Sequence, residues 1–216
     1  MMNKYILGVL LVIFALPALA QNSQSQAKGI LDKTAEVIRK SGVIKAEFTA
    51  KSFNNKVLEG ESQGTIHLKG DKFVVKTPEV TTWFDGKTQW SYMKGSEEVN
   101  VSNPTPEELQ MINPYALLSI YQKGFSCKLG PVKSFRGNAV YEIVLTNNNR
   151  KQDLSCIIMY VLKDTYQPLF VLLQQRNVKL RSEIMINNYQ SNVNISDAAF
   201  IFDRKQYPNA EIIDLR

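Results

Sequence analysis

Apolar positions change their period twice along this chain, and each change marks a new kind of element. Between Ala27 and Lys40, Ile30, Leu31, Ala35, Val37 and Ile38 recur at helical spacing with polar residues between them. That is the pattern of a helix burying one face. Ser41-Gly42 supplies its stop, because glycine takes the left-handed geometry that closes a helix. From Ile44 the period falls to two: Ile44, Ala46, Phe48 and Ala50 alternate with Lys45, Glu47, Thr49 and Lys51, as in a half-buried strand. Asn54-Asn55-Lys56 reads as a turn, and Gly64, Ile66 and Leu68 share the next apolar face opposite Thr65, His67 and Lys69. A strand at Phe73–Lys76 ends before Pro78. Thr81–Phe84 and Thr88–Met93 flank Asp85-Gly86, whose residue types supply the positive φ of a tight hairpin. Lys94-Gly95-Ser96 then leads into Glu97–Val101. The spacing predicts short antiparallel strands in series.

Helical signals return between Pro104 and Gly124. Thr105-Pro106-Glu107-Glu108 has the spacing of a capping box with proline at the first helical position, and Asn113-Pro114 repeats the cap-then-proline order. Tyr115, Leu117, Leu118 and Tyr121 form an apolar flank that Lys123-Gly124 closes. Strands are expected again at Phe125–Leu129, Ala139–Thr146, Leu154–Lys163, Leu169–Gln175 and Ser182–Tyr189, with Phe200-Ile201-Phe202 and Ile212-Ile213 as short edge segments. The sum is a mainly β (α+β) chain: a long antiparallel meander, one opening helix and one helical insert. Such a sheet needs a cover on its apolar face, and the helices are the candidates. Periodicity leaves two versions open, a cupped sheet enclosing an apolar space and a sheet packed solidly on its helices.

The first twenty residues belong to a different category. Lys4 precedes an uncharged apolar run from Tyr5 to Leu16, and Ala18-Leu19-Ala20 offers small residues at a cleavage site. This predicts a signal peptide over residues 1–20, cut after Ala20, and a single domain over 21–216. The run is shorter than the ~20 residues a membrane-spanning helix needs, so a protein soluble outside the cytoplasm is expected. No cysteine lies near the cut, so lipidation of this chain is not expected.

With 44% hydrophobic and 21% charged residues the chain has the composition of a globular protein. Its net charge of +6 is spread along the sequence, as at Lys123, Lys128, Lys133 and Arg136, whereas nucleic-acid binding concentrates cations on one face. A mild attraction to anionic membrane surfaces is compatible with that balance. Cys127 and Cys156 are the two cysteines. Export makes a disulfide between them conceivable, provided the strands bring their Cα atoms close enough.

Catalytic chemistry finds little to stand on. His67 is the single histidine and alternates with Ile66 and Leu68, so it faces away from the apolar side as a solvent-facing strand residue. There is no Gly-x-Ser-x-Gly elbow, no phosphate loop and no His-carboxylate set at metal-ligand spacing. Glu97-Glu98 and Glu107-Glu108 are adjacent in sequence, which makes them diverge on a strand or helix. No enzyme activity, metal or cofactor is expected. The aromatics are more informative: Phe48, Phe73, Trp83, Trp90 and Tyr92 fall on consecutive strands. Converging on one concave face they would form a surface for alkyl chains, and each buried methylene contributes ~0.8 kcal/mol without any polar contact. The alternative is that they fill a core.

One ordered set of residues carries a resemblance. Gly64-Thr-Ile-His-Leu-Lys-Gly-Asp-Lys-Phe73, then Pro78, then Trp83-Phe-Asp-Gly-Lys-Thr-Gln-Trp-Ser-Tyr92 resembles the central signature of the LolA family of periplasmic outer-membrane lipoprotein carriers. The tail, with Asn188-Tyr-Gln-Ser-Asn-Val, Phe200-Ile-Phe and Tyr207-Pro-Asn-Ala-Glu-Ile-Ile-Asp214, is similar to that family's ending. The resemblance implies an incomplete antiparallel β-barrel, a strongly curved sheet with a helical lid. It implies a monomeric carrier that takes acylated lipoproteins from an inner-membrane ABC-type exporter to an outer-membrane acceptor. The same shell serving as an envelope sensor or as a binding module for another lipid or a polypeptide is the alternative. The lipid-binding cavity would be lined by Phe48, Ile66, Leu68, Phe73, Val75, Trp83, Trp90 and Tyr92, with Leu117, Leu118 and Tyr121 from the lid. On that assignment Trp90→Glu should release cargo and spare the fold. Where the family has a lid-latching arginine, this chain has Lys69, a possible latch that keeps the charge and loses the planar fork of donors; the other reading is an exposed strand-end charge.

Overall fold

The computed structural model describes residues 16–105, 108–109, 120–176 and 180–216. Helix α1 (Leu16–Lys40) begins earlier than its apolar period suggests and ends where expected. It buries Ala27, Ile30, Leu31, Thr34 and Ile38, a stripe stepping by three and four residues. Thr34 is the polar member of that stripe, and its hydroxyl donates to the Ile30 carbonyl at 3.0 Å, so its burial leaves the hydroxyl satisfied. At the helix end Gly42 has φ +61°, the left-handed geometry expected of a helix stop.

Among the described residues thirteen strands follow: β1 (Ile44–Asn54), β2 (Val57–Lys69), β3 (Lys72–Lys76), β4 (Val80–Phe84), β5 (Gln89–Met93), β6 (Glu98–Ser102), β7 (Phe125–Leu129), β8 (Ser134–Phe135), β9 (Asn138–Asn147), β10 (Leu154–Leu162), β11 (Pro168–Gln175), β12 (Leu180–Gln190) and β13 (Glu211–Asp214). They form one curved, unclosed sheet in the order β13-β6-β5-β4-β3-β2-β1-β12-β11-β10-β9-β7, with β8 paired to β9 alone. The predicted hairpins are present. Asp85 caps its own turn by accepting from the amides of Lys87 and Thr88, each at 2.8 Å, and Gly86 takes φ +101° there. The first edge segment expected from the sequence differs: Phe200 sits in a 3-10 turn (Asp197–Phe200). The second is β13, which pairs parallel to β6.

The principal core lies on the concave side. There α1 residues Ile30, Leu31 and Ile38 meet Leu68, Phe73, Phe84, Leu145, Ile157 and Val171 from six different strands. The helix therefore acts as the cover the pattern called for. Of the helical insert, the described part confirms its start. The Thr105 amide donates to Glu108 Oε2 at 2.7 Å and the Glu108 amide to Thr105 Oγ1 at 3.3 Å, a reciprocal capping box. Leu109 packs against the core. Leu117 and Leu118 lie outside the described residues.

The structure decides the disulfide that the sequence left open, and it corrects the exposure expected of His67. Cys127 and Cys156 are not bridged. Strand β9 stands between β7 and β10, and the register puts Cys127 opposite Leu145 while Cys156 is opposite Thr146. The two thiols thus face opposite sides of the sheet, two strand spacings or ~10 Å apart. Burial pushes both thiols up. His67 does face away from the concave side, as alternation requires, yet it is half-buried. Burial, and then the charges of Lys45 and Lys76, hold its imidazole below the usual histidine range.

Candidate functional site

α1 does not fill the concave face. Beside it remains a cavity of about 300 Å³, the lower end of the ~300–1,000 Å³ typical of ligand sites. Its wall follows the cross-strand register. Thr82 of β4 faces Val75 of β3, Val75 faces Ile66 of β2, and Ile66 faces Ala46 of β1. Across β1 the ladder continues through Tyr189 and Ile186 of β12, while Ile184 leads to Val171 of β11 and Met159 of β10. All of these side chains line the cavity, with Ile38 of α1 closing one side.

Polar groups in the wall are few. The Thr82 hydroxyl is engaged with Ser91 Oγ at 3.1 Å. The Tyr189 hydroxyl meets no partner in good hydrogen-bond geometry. Burial pushes its phenol up, and the neighbouring Ser41 hydroxyl works the other way. Among the described residues no charged side chain lines the wall, so the site can offer contact area and exclusion of water, which is what an alkyl chain requires.

Gly64 makes room for one wall residue. It sits opposite Phe48 in the β1–β2 register, and a Cβ there would come within 2.7 Å of Phe48 Cζ and 2.5 Å of the Lys76 carbonyl oxygen. The missing side chain is what lets the Phe48 ring lie across β2. The sequence pattern counted Gly64 as one step of the apolar alternation, and its use is to make room.

Of the residues expected in the cavity, Phe48, Ile66, Leu68, Phe73 and Val75 line it. Trp83, Trp90 and Tyr92 do not: they lie on the convex face. Alternation is the reason. Phe84, not Trp83, shares the concave side, where its ring stacks on Phe73 at 5.2 Å. Trp83 pairs with Trp90 across β4–β5 on the other side, and there the C-terminal segment covers them. Trp83 meets Phe202 at 5.5 Å and Tyr207 at 5.6 Å, and Tyr92 meets Tyr207 at 4.6 Å. Phe200 is fully buried in the same cluster. Tyr121 stands at the edge of the main core and donates from its hydroxyl to Asp32 of α1; burial, then Asp32, pushes that phenol up.

Lys69 is an exposed charge at the end of β2, the alternative to the possible latch. It follows Leu68, so it points to the convex side, where it pairs with Asp197 of the tail; Lys72 pairs with the other carboxylate oxygen at 3.0 Å. Its tie is to the C-terminal segment. The wall residues Ile38, Ile44, Ala46, Met159, Pro168, Val171, Ile184, Ile186 and Tyr189 were not anticipated. The alternation of Ile184 and Ile186 on a strand was visible, but nothing local shows that β12 pairs with β1.

Among the described residues no group of His, Cys, Asp or Glu is arranged to hold a metal ion, and no helix is long and apolar enough to cross a membrane. A conserved protein from Thermus thermophilus shares the fold, at 14% identity with a TM-score of 0.59, over 88% of this chain and 99% of that one. The LolA superfamily protein NE2245 from Nitrosomonas europaea matches at 12% identity and a TM-score of 0.47, over 82% and 98%. The MucA/MucB complex structure of Pseudomonas aeruginosa matches at 14% and 0.46, over 83% and 62%. Comparison with curated proteins returns no match. The family model described as outer membrane lipoprotein carrier protein LolA matches residues 16–177, most of the sequence. With an unclosed sheet, an apolar cavity under its helix and that match together, the chain belongs to the LolA family.

Proposed function

We propose that this protein is an exported, periplasmic carrier that shelters the acyl chains of lipoproteins in its concave cavity and moves them between membranes. Residues 1–20 serve as the signal peptide and 21–216 as a single carrier domain. The observation that carries the proposal is the wall itself: a ladder of apolar side chains across six strands, with no charged group among its described residues. Binding of this kind is reversible, since methylenes contribute ~0.8 kcal/mol each and no single polar contact locks the ligand. Release then needs only an acceptor that covers more of the chain. In this reading an inner-membrane ABC-type exporter is the donor and an outer-membrane protein the acceptor.

A second reading, a binding module for a different lipid, is favoured by the modest volume of the cavity, which suits one alkyl chain better than several. Titration with a fluorescent alkyl-chain probe, followed by native mass spectrometry of co-purified ligand, separates the two. Saturable probe binding that Ile66→Glu abolishes supports the carrier, together with lipopeptide found in the purified protein. A single-chain amphiphile in place of lipopeptide supports the second reading. No probe binding at all overturns both.

A further inference from the structure

We infer that the tip of the β1–β2 hairpin docks this protein on the surface of an anionic lipid bilayer. β1 and β2 are eleven and thirteen residues long, yet β3 pairs only with Thr65–Lys69 of β2. The far half of β2 therefore stands beyond β3, and the hairpin ends in a turn with Asn55 and Lys56 at φ +49° and +72°. Directly after that turn come Val57, 66% exposed, and Leu58, 47% exposed. Successive strand residues point to opposite faces, so these two cover both sides of the tip with hydrocarbon. A flat protein interface would bury one of them and leave the other in water. A fluid acyl layer surrounds the tip and takes both.

Charge at the same end of the sheet favours the bilayer. The register places Asn54 beside Leu180 and Leu154 beside Gln175, so the β1–β2 turn, the β9–β10 turn and the end of β11 lie together. They carry Lys56, Arg150, Lys151 and Arg176, all exposed. Among the described residues none of the four is in an ion pair; Arg176 donates to the Asn147 carbonyl at 3.2 Å. The acids of this flank are Glu59, which accepts from Asn54 Nδ2 at 2.9 Å, and Asp153. Glu61 and Glu183 are paired to Lys51 and Arg181. Behind the tip lies a shallow groove lined by Phe53, Asn55, Lys56, Gln174 and Arg181, with the Arg181 guanidinium 4.4 Å from the Phe53 ring centroid. An apolar tip with cations behind it matches the order of acyl boundary and phosphate headgroups. This inference stands apart from the carrier proposal, since none of its residues lines the cavity.

The test is co-sedimentation of the full chain with phosphatidylglycerol-containing vesicles and with phosphatidylcholine vesicles. The protein should sediment with the anionic vesicles, less so as salt rises. Val57→Ser/Leu58→Ser should weaken that binding about tenfold or more, and Arg150→Gln/Lys151→Gln by a smaller factor on anionic vesicles alone. Because lipid uptake into the cavity could mimic docking, Ala46→Trp, which fills the cavity, should sediment as well as the parent. Leu58→Trp gives an independent readout, a blue-shifted emission on anionic vesicles. Absence of sedimentation, or equal sedimentation by the Val57/Leu58 variant, overturns the inference, as does loss of binding in Ala46→Trp.

Discussion

The two faces of the sheet are made from the same strands by the same alternation, and they end up in different states. On the convex side of β3–β6 the Trp83, Trp90 and Tyr92 layer is sealed by Phe200, Phe202 and Tyr207 from the tail. On the concave side Phe48, Ile66 and Val75 look into a cavity that α1 leaves open. Aromatic content does not decide which face binds: the larger aromatics are on the sealed one. The cover decides. An irregular tail with three aromatic side chains conforms to the surface beneath it, whereas a straight helix laid on a curved sheet touches part of it and spans the rest.

On that account, damage to the sealed face should cost stability, and damage to the open face should cost ligand. The largest effect is expected at Phe200, the fully buried aromatic of the tail. Phe200→Ala should destabilise by about 3–5 kcal/mol, read by chemical denaturation. Binding of an alkyl-chain probe by the molecules that remain folded should be unchanged. Trp90→Glu belongs with it, as a stability defect with ligand binding intact, which reverses what the aromatic pattern alone suggested.

Gly64 tests the packing of the open face. Gly64→Val places a Cβ against the Phe48 ring and the Lys76 carbonyl, and overpacking of this sort costs about 1–3 kcal/mol. Adding Phe48→Ala should recover part of the loss, because the ring is one of the two obstacles and the backbone carbonyl is the other. Full recovery would mean that the carbonyl contact relaxes freely. On the open face, Ala46→Trp should lower probe affinity at least about tenfold, ~1.4 kcal/mol, with little change in the unfolding midpoint. A large loss of stability there would mean the space is already filled.

How much of this could be read from the chain depends on the range of the interaction. Local features were legible: the α1 stripe, the Asp85-Gly86 hairpin and the Thr105–Glu108 capping box are each set by residues within a few positions. The concave assignment of Ile66, Leu68, Phe73 and Val75 was legible because each has a polar neighbour on both sides or a clear partner in alternation. Trp83-Phe84 defeats the same method: two adjacent aromatics let either one claim the apolar face, and only the cross-strand partner Phe73 settles it. Pairing of β1 with β12, which brings Ile184, Ile186 and Tyr189 to the wall, joins opposite ends of the chain and leaves no local mark. The strand order that separates Cys127 from Cys156 is hidden for the same reason.

The smallest effect is expected at the clamp that holds the tail to β2 and β3. Asp197 accepts from Lys69 and Lys72, and these two lysines, Lys69 first, hold its carboxyl below the usual aspartate range. A carboxyl whose folded-state pKa is depressed stabilises the fold above its unfolded value and loses that contribution as pH falls through the folded one. The groups are exposed, so water and salt screen the pairs, and the aromatic layer of the tail should carry nearly all of the attachment. Asp197→Asn should therefore lower the unfolding midpoint slightly at about pH 7, and the difference from the parent should vanish on acidification toward about pH 2. Thermal melts across that range, repeated at high salt, measure it. A drop as large as that of Phe200→Ala would mean that the tail is held by charge and that the convex face is only conditionally sealed, which would remove the contrast between the two faces.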